Sequence, residues 1–141
     1  MSKRSLRLRV LAVALGSVFL LTGPGALESV VAHEFDATSQ VSLNVNKNKV
    51  KEGKKVTLRG IVTSAQPECV NGRQVNIVGG GGATAVADAA GNFKVRFTID
   101  HKTTFTARVP ATVGGPHPHR HACGADNSRS KQVKLKKKGN D

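Results

Sequence analysis

Apolar and polar side chains alternate along most of the chain after residue 40. In the segment 92–99, for example, Phe93 and Phe97 are separated by residues that include Lys94 and Arg96. A period of two is typical of β-strands that bury one face and expose the other. No segment of this region has the sustained 3.6-residue period of an amphipathic helix. The pattern predicts seven short strands, which contain residues 41–45, 56–62, 75–77, 84–87, 92–99, 105–109 and 133–135.

Turn-forming residues separate the predicted strands. Gly53 and the pair Asn71-Gly72 lie between strands, four consecutive glycines occupy 79–82, and Gly91 lies just before the fifth strand. Gly and Asn tolerate the positive φ angles that tight turns require. About seven strands in roughly 100 residues are typical of an all-β, antiparallel β-sandwich of the immunoglobulin-like type. A barrel with a similar number of strands is the alternative.

Four segments and the two cysteines form a recognisable pattern: VKEGKKVTLRGIV at 50–62, AGNF at 90–93, TFTARV at 104–109 and VKL at 133–135, together with Cys69 and Cys123. This pattern resembles secreted bacterial immunoglobulin-like domains, and the likeness extends over nearly all of residues 40–137. The resemblance implies a structural or binding module and brings no catalytic residue with it. The chain has no Trp, and its cysteine spacing differs from that of antibody domains, so that subclass is not implied.

The first 32 residues have the organisation of a secretion signal. Four cations within the first nine residues are followed by a twelve-residue apolar run at 10–21. This run has the length of a signal-peptide core and is shorter than the roughly 20 residues that span a bilayer. Val30 and Ala32 supply the small residues that predict cleavage between Ala32 and His33. We therefore expect a secreted protein of the extracellular space or cell envelope; a buried N-terminal helix is the alternative.

The part of the chain that follows this leader is strongly basic. The leader contains 4 of the 22 Lys+Arg and 1 of the 9 Asp+Glu, so residues 33–141 carry a net charge of +10. Such a surface favours anionic polymers through counterion release. For an exported protein the expected partners are wall polymers, lipid headgroups or extracellular polysaccharide. The candidate polyanion-binding residues are Lys47, Lys49, Lys51, Lys54, Lys55, Lys134, Lys136, Lys137 and Lys138.

The residue composition also bears on which partner such a basic surface would bind. The chain has no Tyr and no Trp, and base stacking on aromatic side chains is the usual device of single-strand binders, so we expect no sequence-specific nucleic acid partner. The outward faces of two predicted strands add Lys94, Arg96 and Arg108 to this basic surface. The alternative function of all these charges is to keep the domain soluble.

The chain has two cysteines, Cys69 and Cys123. Two cysteines in an exported domain most simply form one disulfide. Because successive antiparallel strands reverse direction, the connection between predicted strands two and three lies at the same end as the connection between strands six and seven. Cys69 is in the first of these connections and Cys123 is in the second, so we predict a Cys69–Cys123 disulfide. A free thiol pair with a redox or metal role is the alternative.

A cluster of histidines raises a second hypothesis. His117, His119 and His121 alternate along a proline-containing segment, and imidazole is a ligand for copper and zinc. Cleavage after Ala32 would make His33 the N-terminal residue, which offers an amine and an imidazole to one metal. The strand directions place the start of the first strand at the end that carries the histidine loop. We therefore weigh a copper or zinc site at His33 and these histidines against a polar loop without a ligand.

No catalytic motif is found in the sequence. It lacks the Gly-x-Ser-x-Gly elbow of serine hydrolases, and its acidic residues are scattered among turns. We therefore predict a non-enzymatic module without a cofactor, unless the metal hypothesis holds. The predicted organisation is a signal peptide at 1–32, an N-terminal extension at 33–39, a sandwich at 40–138 and a tail at 139–141.

Overall fold

The fold is all-β in the part of the chain that the structure, a computed structural model, describes, which is residues 34–115 and 119–137. The predicted leader, His33, His117 and Lys138 lie outside these residues. The described elements, in chain order, are β1 (Phe35–Ala37), β2 (Ser39–Val45), β3 (Lys49–Val50), β4 (Lys54–Ser64), a short 3-10 helix (Pro67–Cys69), β5 (Gln74–Val78), β6 (Ala83–Val86), β7 (Asn92–Ile99), β8 (Thr103–Val109), β9 (Thr112–Gly114), β10 (His121–Cys123), β11 (Asp126–Asn127) and β12 (Lys131–Leu135).

Two sheets pack against each other and form a β-sandwich. One sheet has the order β2-β4-β7, and the other has the order β3-β12-β8-β5-β6, with β11 also paired to β8. A single hydrophobic core contains buried side chains from both sheets, including Leu58 of the first and Phe105 of the second. A third, small sheet, β1-β10-β9, carries Cys123.

The predicted alternation of side chains is confirmed in the long strands. In β4, Val56, Leu58 and Val62 are fully buried, whereas Arg59 and Ile61 are exposed. Strands β7 and β8 repeat this pattern with their phenylalanines inside. Burial of these apolar faces is the main stabilising contribution, at roughly 25 cal/mol per Å² of apolar surface removed from water.

All seven predicted strands are present, and their pairings with one another are antiparallel. Five further strands, β1, β3, β9, β10 and β11, have two or three residues each. Two pairings that involve these short strands, β1 with β10 and β3 with β12, are parallel. Strands of this length are too short to show an alternating pattern, so the sequence did not indicate them.

Candidate functional site

The candidate lysines form two groups in the sequence. The first group, Lys47, Lys49, Lys51, Lys54 and Lys55, lies around the tight turn that joins β3 to β4. The amide of Lys54 donates to the carbonyl of Lys51 at 3.2 Å, and the amide of Gly53 donates to the carbonyl of Ile99 at 2.9 Å. Gly53 has a φ of 74°, a left-handed conformation that glycine adopts without strain. These bonds fix the turn against the end of β7, so that Lys51, Lys54 and Lys55 project from one end of the sandwich.

Strand β12 brings the second group, of which Lys134, Lys136 and Lys137 are described, next to β3. This strand runs parallel to β3, with Lys134 opposite Lys49 and Leu135 opposite Val50. The amide of Lys134 donates to the carbonyl of Asn48 at 2.9 Å, and the amide of Lys136 donates to the carbonyl of Val50 at 2.7 Å. Two lysine groups that are far apart in the sequence therefore meet in the fold.

The merged group forms a concave basic surface, which we call the lysine cluster. It encloses a volume of about 280 Å³. Its lining consists of Lys47, Lys49, Lys51, Lys54, Lys55 and Lys136, with Val50. All six lysines are exposed, whereas Val50 is buried and holds β3 in the core. Lys134 and Lys137, on the same C-terminal segment as Lys136, are exposed but do not line this surface.

The lysines of the cluster form no ion pair with a carboxylate of the described residues. Within residues 34–115 and 119–137, none of its lysines lies within 4.0 Å of a carboxylate, and the ion pair found there is between Arg120 and Asp36. Glu52 is exposed in the same turn and makes no such contact. A concave surface of one sign raises the local concentration of ions of the opposite sign. The arrangement is therefore suited to holding several anionic groups at once.

The predicted disulfide is present at the other end of the sandwich. The sulfur atoms of Cys69 and Cys123 are 1.97 Å apart, and both residues are buried. Beside the bridge, β1 pairs with β10, and the amide of Gly124 donates to the carbonyl of Ala37 at 2.8 Å. The bridge thus ties the 3-10 helix to a segment whose polarity would not allow it to pack by itself.

The histidine hypothesis remains a prediction. Because His33 and His117 lie outside the described residues, the structure places only His119 and His121 of the proposed ligands. The ring of His121 stacks on that of Phe35, with centroids 4.4 Å apart. Within the described ranges, no group of three or more His, Cys, Asp or Glu side chains is arranged to hold a metal ion.

Arg73 is a buried, structurally important residue that was not identified from the sequence. It is only 4% exposed, and one of its terminal nitrogens donates to the carbonyls of Pro110 and Gly124, each at 2.9 Å. The other donates to the hydroxyl of Thr112. Burial lowers the pKa of Arg73 below its usual value. Arg73 directly precedes β5 and continues the alternation of the buried Val75 and Ile77, which is the signal that would have identified it.

No helix within the described residues is both long enough and apolar enough to span a membrane. Comparison with known proteins gives no match to a family model, and no curated protein is significantly similar to the chain. The candidate function therefore depends on the residues of the chain itself.

Proposed function

We propose that this protein is a secreted, non-catalytic, immunoglobulin-like module that binds anionic cell-surface or extracellular polymers through the lysine cluster. The observation that carries the proposal is the parallel pairing of β3 with β12, which brings Lys136 of the C-terminal segment into one concave surface with five lysines of residues 47–55. A charge distribution that served solubility alone would not require like charges to be gathered in this way.

The immunoglobulin-like part of the proposal is supported by the order of the strands. The seven long strands divide as β2-β4-β7 in one sheet and β12-β8-β5-β6 in the other. The seven-strand immunoglobulin arrangement has its first, second, fourth and fifth strands in one sheet and its third, sixth and seventh in the other. Six of the seven strands follow that division here, and the fourth, β6, differs by pairing with the third, β5. Domains of this kind present their connecting loops at two ends, and the lysine cluster occupies one of these ends.

The physical basis of binding is the release of counterions. Each anionic group that contacts a lysine displaces a condensed ion from the polymer, so affinity falls as the salt concentration rises. A lysine that has no carboxylate partner in the free protein breaks no ion pair when it contacts the polymer. The cluster therefore favours polymers with closely spaced charges over isolated anions.

Heparin chromatography and a wall-fragment pull-down test this proposal. The triple variant Lys49→Gln/Lys54→Gln/Lys136→Gln should bind at least about tenfold more weakly at low salt, because three of the gathered charges are lost. The matched control is Lys94→Gln/Arg96→Gln/Arg108→Gln, which removes the same net charge from the exposed sheet faces. We expect this control to stay within about twofold of the unmodified protein.

Equal losses in the two triple variants would show that only net charge matters, and would contradict a localised site. Retention that does not change with salt would contradict the electrostatic mechanism itself.

Metal binding is a second candidate function, and the pairing of β1 with β10 favours it. The hypothesis requires the start of the domain to lie beside the histidine segment, and Phe35 is opposite His121 in the structure. Calorimetry with Cu(II) and with Zn(II) should then show heat at micromolar concentrations. That heat should disappear in His119→Ala/His121→Ala and persist in His101→Ala, which alters an exposed histidine at the opposite end. An absence of heat in the unmodified protein would remove this candidate.

A further inference from the structure

A second concave surface adjoins the lysine cluster and differs from it in chemistry. It lies between the connection from β2 to β3 and the start of β12, and its volume is about 530 Å³. We call it the amide groove. Its polar lining includes Asn44, Asn46, Asn48, Ser130, Lys131 and Gln132.

The side chains of the groove can both donate and accept hydrogen bonds. A carboxamide offers two N–H donors and a carbonyl acceptor, and a serine hydroxyl offers one donor and two lone pairs. The side-chain Oδ1 of Asn46 accepts a hydrogen bond from the backbone amide of Thr57 at 2.8 Å. This bond fixes the connection between β2 and β3 against β4. The exposed side chains of Asn44 and Asn48 make no hydrogen bond to any of the described residues. On the other wall, the hydroxyl of Ser130 bonds to that of Thr106 at 2.9 Å, and the amide of Gln132 lies 3.5 Å from the hydroxyl of Thr104. The unused amides of the groove are therefore those of Asn44 and Asn48.

The groove and the lysine cluster share a residue. Lys47 lines both surfaces, so a ligand chain that fills one is brought to the edge of the other. A ligand that satisfies the combined surface needs anionic groups for the lysines and hydroxyl groups for the amides. Acidic polysaccharides carry both on every repeat, whereas polyphosphates carry only the anionic groups.

Two other classes of polymer fit the groove less well. Its apolar lining is limited to the half-buried Val45, so it has no exposed apolar side chain to insert into a lipid surface. It also has no aromatic side chain on which a nucleic acid base would stack.

We propose that the amide groove and the lysine cluster together recognise an acidic polysaccharide, with its carboxylate or sulfate groups on the lysines and its hydroxyl groups on the amides. This inference rests on the proposed function, because it assumes that the lysine cluster binds anionic polymers. It adds a source of selectivity that charge alone does not provide.

The test compares polymers with and without hydroxyl groups. Affinities of the purified, oxidised protein are measured for alginate and heparin, which are hydroxylated, and for polyphosphate and poly-glutamate, which are not. Duplex DNA and vesicles that contain phosphatidylglycerol are measured in parallel. The groove variant is Asn44→Ala/Asn48→Ala, and the matched control is Gln40→Ala/Asn127→Ala, which removes two exposed amides from other parts of the sheets.

The groove variant should bind alginate and heparin about five- to tenfold more weakly, because amide contacts to hydroxyl groups are lost. It should bind polyphosphate and poly-glutamate within about twofold of the unmodified protein, as should the control for every polymer. Thermal melting of both double variants confirms that they are folded.

The outcomes separate the two proposals. If the lysine triple variant weakens binding to all polymers while the groove variant changes none of them, polyanion binding stands and the polysaccharide inference is wrong. Tighter binding of the unmodified protein to DNA, to vesicles or to polyphosphate than to the polysaccharides would also overturn the inference. If the unmodified protein binds none of these polymers, the proposed function itself fails.

Discussion

The disulfide end and the lysine end of the sandwich place their positive charges in different surroundings. At the disulfide end, Arg73 is buried and donates to two backbone carbonyls, and Arg120 lies 3.6 Å from Asp36. At the lysine end, six exposed lysines share one concave surface and have no carboxylate within 4.0 Å among the described residues.

The cations of the disulfide end therefore hold the fold together, whereas those of the lysine end are available to a ligand. A buried guanidinium with several hydrogen bonds fixes the segments that accept them. Gathered lysines repel one another and reduce stability slightly, so the fold gains nothing from their proximity. Substitutions at the two ends should therefore have opposite effects on stability, and only those at the lysine end should change polymer binding.

The largest effect is expected from removal of the disulfide. The bridge closes a loop with a sequence separation of 54 residues, and the loss of this constraint on the unfolded chain is worth about 4 kcal/mol. Chemical denaturation of Cys69→Ala/Cys123→Ala should show this decrease in the free energy of unfolding. Heparin affinity, measured where the variant is still folded, should not change. A decrease below about 1 kcal/mol would contradict a structural role for this end.

Removal of the Arg73 side chain should have the next largest effect. Arg73→Ala leaves the carbonyls of Pro110 and Gly124 without their donor, and should lower the free energy of unfolding by about 3 kcal/mol. Arg73→Lys should recover only part of this loss, because an ammonium group does not reproduce the planar fork of donors. The control is Arg108→Ala, an exposed arginine whose removal should cost less than about 0.5 kcal/mol. Equal losses in Arg73→Ala and Arg108→Ala would contradict a stabilising role for the hydrogen bonds of Arg73.

A third prediction concerns β4, which runs from the lysine end to the disulfide end. Gly60 lies between Leu58 and Val62, and a Cβ at this position would clash with the ring of Phe93 and the carbonyl oxygen of Ser42. Gly60→Ala should therefore lower the free energy of unfolding by about 2 kcal/mol.

Gly114→Ala is the matched control, because a Cβ at Gly114 meets nothing within 4 Å. Thermal unfolding of Gly60→Ala should remain a single transition in which both ends of the sandwich are lost together. Separate transitions would show that the two ends are not parts of one cooperative unit.

The sequence predicted the sandwich because its long strands show clear alternation. In β8 every second residue from Thr103 to Val109 is buried, and the same alternation in β4 and β7 is interrupted only at the half-buried Gly60 and Val95. The position of the disulfide followed from the same pattern, since antiparallel strands of known number have known directions.

The merging of the two lysine groups was not predictable in this way. It depends on β3, which has two residues and pairs with a strand that is distant in the sequence. Arg73 was missed for a different reason: a search for apolar periodicity overlooks a polar residue on a buried face. The amide groove combines both difficulties, because its residues are polar and come from separate segments.

The smallest expected effect is a change in the free energy of unfolding when surface charges are removed. It distinguishes the two ends most directly, because its sign should differ between them. Lys49→Gln/Lys54→Gln/Lys136→Gln should raise the free energy of unfolding by about 0.5 kcal/mol at low salt, since it relieves repulsion among exposed charges. The gain should shrink as added salt screens these charges. Urea is the suitable denaturant, because guanidinium would itself screen them.

Arg120→Gln at the disulfide end is the opposite case, because it breaks the exposed ion pair with Asp36. It should lower the free energy of unfolding by up to about 0.5 kcal/mol, and this loss should also shrink with salt. If the lysine variant were destabilised as well, its lysines would be making favourable contacts within the fold. The lysine end would then be structural like the disulfide end, and the case for a ligand at the cluster would lose its physical basis.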